Sequence, residues 1–262
     1  MIPTEGKREL WQKLKVLTTS PEVTSTTQII SAGIRDRDFD PQFYQTLDNP
    51  QYRPINWNYK NSQIGWVWER KEIENYLIDP VIVRKTLADR VDIPRYEVAL
   101  QSSAETLSEY TAARVALSLC RHQPAMLENR WGEACGLRHH CLPQQRDYHS
   151  CIQGIEAICQ NHGRQYQLTP SKVVEEFQRL LPSFERSGSK FAHFLTVFSG
   201  KDLLTAMGSE LMQMELGEPG QFLARILKRL ETSPEPVWEW LPEWQRLREA
   251  IAQFGSTSSG LS

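Results

Sequence analysis

The first third of the chain combines helical and extended patterns of hydrophobic residues. Residues 6–17 carry leucines and a tryptophan at helical spacing, which predicts a helix that packs on a sheet. Short apolar runs at 27–34 and 64–68 predict buried strands. Strands that alternate with a helix favour a parallel sheet, so the sequence predicts an α/β fold here. Residues 39–62 have no stable period, and we predict a long loop there.

From residue 75 onward, nearly every hydrophobic pattern is helical. Candidate helix boundaries include a Thr-Pro pair at 169–170, which is typical of a helix start. The predicted helices are 97–120, 170–182 with its end at Pro182, 201–214 and 220–231. We therefore predict an α/β metal-binding region at 1–92, a helical region at 93–254 and a disordered tail at 255–262.

Composition and charge exclude several classes of protein. The 262 residues are 40% hydrophobic and carry a formal net charge of −2, which is typical of a globular chain and untypical of a generally basic nucleic-acid coat. No apolar run reaches the ~18 residues of a membrane span, and the first residues lack a signal-peptide pattern. Five cysteines without regular spacing favour a reducing compartment over a disulfide framework. We predict a cytoplasmic protein.

Acidic residues follow the apolar run that ends at Ile34. Alternate side chains of a strand share a face, so Asp36 and Asp38 can point together from the strand's carboxyl end. Mg²⁺ prefers hard oxygen ligands and commonly uses one or two carboxylates. The pair therefore predicts a Mg²⁺ or Mn²⁺ site that acts on phosphodiesters. The alternative is a solvated loop, because acidic residues are frequent after strands and Asp40-Pro41 is typical of a turn.

Three motifs together resemble a known family. They are Asp36-Arg37-Asp38, then Arg70-Lys71-Glu72-Ile73-Glu74-Asn75-Tyr76-Leu77, and Gly200-Lys201-Asp202-Leu203-Leu204. The chain resembles the TOPRIM-like domains of the OLD (overcoming lysogenization defect) nucleases and the related domain of unknown function that accompanies AAA-type ATPases.

The resemblance implies a TOPRIM-like, Rossmann-like sheet and an activity. In that family two aspartates bind Mg²⁺, a separate glutamate completes the site, and DNA is nicked or cut. It also implies a setting in phage or mobile-element defence. Since the chain has no Gly-x-x-x-x-Gly-Lys-Ser/Thr loop, an ATPase partner would be a separate protein.

The position of the family's first glutamate has two interpretations. Glu5 lies in a Glu-Gly-x-x-Glu segment that looks like the family motif, with Glu9 in its last place. However, only four residues precede Glu5, and the stretch up to Asp36 has room for one helix and one strand, where the family usually has more. In the second interpretation the family's first strand is missing from this chain, and Glu5 is a helix-start acid.

Two further carboxylates and one lysine complete the predicted site. Glu72 and Glu74 share a face only in an extended chain, so we expect only one of them to reach the metal, and we favour Glu72. The resemblance implies a lysine that stabilises phosphate charge, and Lys201, at a predicted helix start, is the candidate for it. A solvated surface lysine is the alternative interpretation. Arg37 is expected on the opposite face from the aspartates, in a structural or ion-pairing role.

Other residue clusters have weaker functional interpretations. Cysteines and histidines crowd into residues 135–162, but their spacing matches none of the usual zinc patterns. Trp238, Trp240 and Trp244 could anchor a partner, although packing of a terminal helix is the commoner role. A non-catalytic TOPRIM-like subunit that regulates an ATPase is the rival to a nuclease, and an unrelated Asp-x-Asp phosphatase or polymerase is a third alternative.

Overall fold

The structure, a computed structural model, describes residues 32–37, 44, 55–59, 62–121, 141–166 and 168–257. This part of the chain is mostly helical and contains a small mixed sheet. The strands are β1 (Gly33–Arg35), β2 (Ile55–Tyr59) and β3 (Ser62–Val67). The helices are α1 (Glu74–Leu77), α2 (Pro80–Leu87), α3 (Ile93–Arg121), α4 (Tyr148–Tyr166), α5 (Pro170–Phe184), α6 (Phe194–Val197), α7 (Gly200–Ala206), α8 (Gly208–Gln213), α9 (Pro219–Glu231) and α10 (Pro242–Thr257).

The chain divides into two compact units. Residues 1–36, 52–69 and 238–262 form the first unit, which contains the sheet and α10. Residues 37–51 and 70–237 form the second, which contains α1 to α9. The boundary predicted near residue 92 falls just before α3, inside the second unit.

The described strands form one sheet in the order β1-β3-β2. β1 runs parallel to β3, as predicted, with Gly33 opposite Gly65. β2 runs antiparallel to β3, so the expectation of a purely parallel sheet is wrong. The prediction of a loop throughout 39–62 is also wrong, because β2 and the first residue of β3 lie within that range. In β2, Ile55, Trp57 and Tyr59 alternate with asparagines, which is the pattern of a strand with one apolar face.

Helix α3 is the central element of the second unit. It packs against α4, α5 and α7, and from Ala112 to Arg121 every residue is buried. Three alanines and a serine lie in this stretch, and their small side chains let neighbouring helices approach closely. The predicted helix at 97–120 is confirmed, and the structure extends it at both ends to 29 residues.

Local sequence signals set several helix ends. Asp79 caps α2 by accepting a hydrogen bond from the Val81 N–H, and Pro80 takes the first helical position. Thr169 precedes Pro170 as predicted but makes no side-chain capping hydrogen bond. The prediction that Pro182 ends α5 is wrong by two residues, because a proline in the last turn removes only one helical hydrogen bond.

Two other predicted boundaries differ from the structure. The helix predicted at 201–214 is two helices, α7 and α8, that meet at Met207. Helix α10 continues to Thr257, so the predicted disorder at 255–257 is wrong, and residues 258–262 lie outside the described part. The helix predicted at 220–231 is confirmed as α9, with a capping box between Glu218 and Gln221.

Candidate functional site

Two distant segments of the sequence meet in the second unit. They are residues 70–77, which include α1, and residues 196–204, which run into α7. The backbone carbonyl groups of residues 196, 197 and 198 each accept one hydrogen bond. Two of the donors belong to the 70–77 segment, and the third is Tyr44. The pairs are Lys71 N–H to the Thr196 carbonyl (3.2 Å), Tyr44 O–H to the Val197 carbonyl (3.0 Å) and Asn75 Nδ2 to the Phe198 carbonyl (2.9 Å).

Glu72 connects the same two segments through its carboxylate. The Ser199 hydroxyl lies 3.2 Å from each carboxylate oxygen, and the Lys201 N–H donates to Oε2 at 3.1 Å. The Glu72 N–H in turn donates to Asn75 Oδ1 at 2.9 Å. Glu72 is buried, so these hydrogen bonds take the place of its hydration. Glu72 is therefore the negative group at the start of α7.

The Lys201 ammonium lies between two carboxylates. Its Nζ is 3.6 Å from Glu72 Oε2 and 3.3 Å from Glu74 Oε2. The Lys201 side chain is 39% exposed, whereas those of Glu72 and Glu74 are 8% and 15% exposed. We expected Glu72 and Glu74 to diverge once both lie in a helix. Because this helix, α1, begins only at Glu74, Glu72 lies before it, and the two carboxylates converge on one ammonium. The cation thus keeps a solvent-facing side.

Glycine at position 200 allows this close approach. A Cβ atom there would lie 2.5 Å from the Asn75 backbone nitrogen and 2.9 Å from Asn75 Oδ1. Real Cβ atoms essentially never come this close to other heavy atoms. The glycine in Gly200-Lys201-Asp202 is therefore required by the contact between α7 and α1.

A buried ion pair fixes α7 on the central helix α3. Arg114 Nη1 lies 2.5 Å from Asp202 Oδ2, and the two side chains are 7% and 1% exposed. The Asp202 N–H also donates to the Ser199 hydroxyl oxygen, which caps α7. Lys201 is thus held between the Glu72 contact on one side and the Asp202 contact on the other.

Lys71 and Tyr44 form a buried polar pair beside this junction. Lys71 Nζ donates to the Tyr44 hydroxyl at 2.9 Å, and Lys71 is fully buried. Burial lowers the pKa of Lys71 well below its ordinary value, and the carboxylate of Glu72 offsets this only in part. Burial, and then the charge of Glu72, raise the pKa of Tyr44. The pair therefore favours an uncharged state for both groups.

The lowered pKa of Lys71 predicts a pH-dependent stability. Between that lowered pKa and the unfolded-state pKa of about 10.4, the unfolded chain binds more protons than the folded chain. The free energy of unfolding should therefore rise with pH in this window, by up to ~1.4 kcal/mol per pH unit. Lys71→Met should remove this rise when urea unfolding is measured at several pH values across that window. Lys85→Met, at an exposed lysine, should keep it. Equal slopes in the Lys71 variant and the wild type would contradict the assignment.

The structure describes three of the predicted site residues and brings two of them together. Glu72 and Lys201 are brought together, as described above. Asp36 directly follows β1 and is half-buried. Glu5 and Asp38 lie outside the described residues, so their predicted roles stay predictions. Within the described ranges, no group of three or more His, Cys, Asp or Glu side chains is arranged to hold a metal ion.

In the first unit, Asp36 directly follows strand β1. β1 and β3 are parallel, so Asp36 and Glu69 follow strands that end at the same edge. The Trp68 N–H donates to the Arg35 carbonyl at 3.1 Å and continues this pairing. The Glu69 carboxylate accepts hydrogen bonds from Nε and Nη2 of Arg246, at 3.0 and 2.7 Å. Glu69 is therefore held by an ion pair, and the metal-binding role of Asp36 stays a prediction.

Sequence reasoning missed three residues of the junction. Tyr44 lies in a range predicted to be a loop, and nothing in its neighbourhood indicated a buried hydroxyl. Arg114 had a usable signal, because it is a single charged residue within a run of alanines and apolar residues of α3. Such an isolated charge in a buried helix predicts a buried partner. Ser199 was also missed as the cap that binds Glu72.

The cysteine and histidine cluster shows no zinc-binding arrangement in the part of the chain that the structure describes. Cys151 and Cys159 are buried on α4, and burial raises the pKa of both thiols, which disfavours the thiolate that zinc requires. Cys141 is disulfide-bonded, contrary to the expectation of unpaired thiols. Residues 122–140 lie outside the described part.

The C-terminal tryptophans lie around the start of α10. Trp238 is 36% exposed, and the Arg248 guanidinium stacks 4.1 Å from its ring centroid. Partner binding by these residues stays a prediction. No helix of the described ranges is long and apolar enough to cross a membrane.

No family model, no curated protein and no solved structure matches this chain.

Proposed function

We propose that the chain is a Mg²⁺-dependent nuclease of the TOPRIM type that acts on DNA phosphodiesters. The observation that carries the proposal is the junction of residues 70–77 with residues 196–204. These segments contain two of the three motifs on which the family resemblance rests, and Glu72 and Ser199 are 127 positions apart in sequence. A shared surface site explains why both motifs place charged residues at this junction.

The donor groups available for Mg²⁺ are consistent with this activity. Asp36 offers hard carboxylate oxygens at the carboxyl end of a parallel strand pair, and in the sequence Asp38 supplies a second carboxylate two positions later. The sequence names Glu5 or Glu72 as the third carboxylate, and the contacts of Glu72 to Ser199 and Lys201 favour another role for Glu72. When bound, Mg²⁺ polarises a phosphate and lowers the pKa of a bound water.

Lys201 supplies a cation at the junction of residues 70–77 with residues 196–204. Its ammonium is held by two carboxylates yet is partly exposed, so it can contact a phosphate oxygen from solvent. A preorganised cation of this kind stabilises charge that develops on a phosphate in the transition state. The hydrogen bonds at 196–198 keep the backbone before Lys201 fixed while this happens.

The resemblance also suggests partners. We propose DNA as the substrate and a separate AAA-type ATPase as a partner protein, in phage or mobile-element defence. We further propose that the chain acts in the cytoplasm.

Nicking of supercoiled plasmid tests the proposed activity. The purified chain should convert supercoiled to open-circular DNA with Mg²⁺ or Mn²⁺ and not with EDTA. The Asp36→Ala/Asp38→Ala variant should lose roughly 100-fold or more of this rate, since it lacks the proposed metal ligands. Equal metal-dependent rates in the two proteins would rule out the aspartates as the metal site.

A non-catalytic role is the second candidate. It is favoured by one observation: the carboxylates of Glu72 and Asp202 are each bound to a cation of the chain itself. In this case the chain would be a TOPRIM-like subunit that regulates an ATPase. Absence of nicking by a folded chain, with no Mn²⁺ binding, would support this role.

A further inference from the structure

We propose that Glu72 is a positioning residue for Lys201 and not a ligand of Mg²⁺. In this arrangement Glu72 and Glu74 together hold the Lys201 ammonium, which provides the positive charge at this part of the site. Its consequence for catalysis rests on the proposed nuclease function. The contacts themselves do not depend on it.

Both Glu72 carboxylate oxygens already have partners. The Ser199 hydroxyl lies 3.2 Å from each oxygen, and Oε2 also accepts from the Lys201 N–H. A metal ion at Glu72 would compete with these donors for a buried carboxylate. The N–H and hydroxyl groups released would lose their partners, which is costly where water is excluded.

Glu74 also depends on the Lys201 ammonium. Its Oε2 atom is buried and has no hydrogen-bond partner among the described residues, yet Lys201 Nζ lies 3.3 Å away. A buried carboxylate needs a nearby positive charge, and the ammonium is a compact point charge that can serve two carboxylates at once. Removing Lys201 from this position would leave both glutamates without that charge.

The backbone that carries Lys201 is held in place as well. Its N–H is bound by Glu72, and the next residue, Asp202, is anchored by Arg114. The side chain of Glu72 thus fixes Lys201 at both its backbone and its ammonium. Two contacts from one carboxylate restrict a flexible lysine far more than a single ion pair does, which is what positioning of a catalytic cation requires.

A double-mutant cycle on thermal unfolding, without metal, tests the contact directly. Glu72→Gln should lower Tm by roughly 4–8 °C. The fall in Tm of the double variant Glu72→Gln/Lys201→Met should be clearly smaller than the sum of the falls in the two single variants. Either single substitution already removes the interaction between the two side chains. The exposed pair Lys85 and Glu235, 2.9 Å apart, provides the matched control. Its Met and Gln variants should be additive within about 1 °C. Additive losses for Glu72 and Lys201 would overturn the proposal.

The Mg²⁺ dependence of nicking separates positioning from metal binding. Glu72→Gln should reduce the rate at saturating Mg²⁺ roughly 10- to 100-fold, while the Mg²⁺ concentration at half-maximal rate stays within about twofold of the wild-type value. A rise of about tenfold or more in that concentration would show that Glu72 is a metal ligand. If the wild type does not nick DNA, the proposed function fails, and the unfolding cycle still decides whether Glu72 holds Lys201.

Discussion

Replacing Arg114 by methionine should lower the free energy of unfolding by about 3–5 kcal/mol. The substitution leaves the Asp202 carboxylate, which is 1% exposed, without the guanidinium 2.5 Å away. An uncompensated buried charge is among the costliest changes a core can receive. Urea unfolding near neutral pH measures the effect as a lower midpoint.

Arg179 provides the matched control for this prediction. It forms an ion pair with Glu176 at the same 2.5 Å distance, but the Arg179 side chain is 64% exposed. Arg179→Met should therefore change stability by at most about 1 kcal/mol. The double variant Arg114→Met/Asp202→Leu should recover much of the loss, because it removes both charges. Equal effects of the two arginine substitutions would contradict the burial argument.

Replacing Gly200 by alanine should destabilise the chain by about 3 kcal/mol. The new Cβ would lie 2.5 Å from the Asn75 backbone nitrogen, and backbone cannot yield as a flexible side chain can. Either α1 or α7 has to shift, which also moves Lys201 away from Glu72 and Glu74. The nicking rate should therefore fall together with the stability.

Gly220, in the first turn of α9, is the control for Gly200. A Cβ there meets no atom within 4 Å. Alanine is the better helix former, so Gly220→Ala should stabilise the chain by about 0.5–1 kcal/mol. The two Gly→Ala substitutions are thus expected to have opposite signs in the same urea unfolding measurement. A harmless Gly200→Ala would show that α1 and α7 are not as close as described.

The helical part of the fold was predictable because its signals are local. Pro80, Pro170 and Pro219 each occupy a first helical position, and the capping side chains of Asp79 and Glu218 precede two of them. The long helix α3 followed from composition alone. Strand β2 also had a local signal, the alternation of Ile55, Trp57 and Tyr59 with asparagine, which the high content of loop-forming residues around it obscured.

The candidate site was predictable only in part, because its contacts are not local. The motifs at 70–77 and 200–204 were identified by resemblance, and the structure brings them together. Their sequences do not show that Glu72 binds Ser199 or that Arg114 reaches Asp202, since each contact joins residues more than 80 positions apart. Tyr44 has no periodic pattern around it that would indicate burial.

The most direct test of the account is plasmid nicking by the wild type, Lys201→Met and the control Lys85→Met at saturating Mg²⁺. The account predicts metal-dependent nicking by the wild type and by Lys85→Met. It predicts a rate lower by roughly 100-fold in Lys201→Met, because the ammonium held by Glu72 and Glu74 is lost. Full activity in Lys201→Met would contradict the role of the junction, and absence of metal-dependent nicking by the folded wild type would contradict the proposed nuclease function.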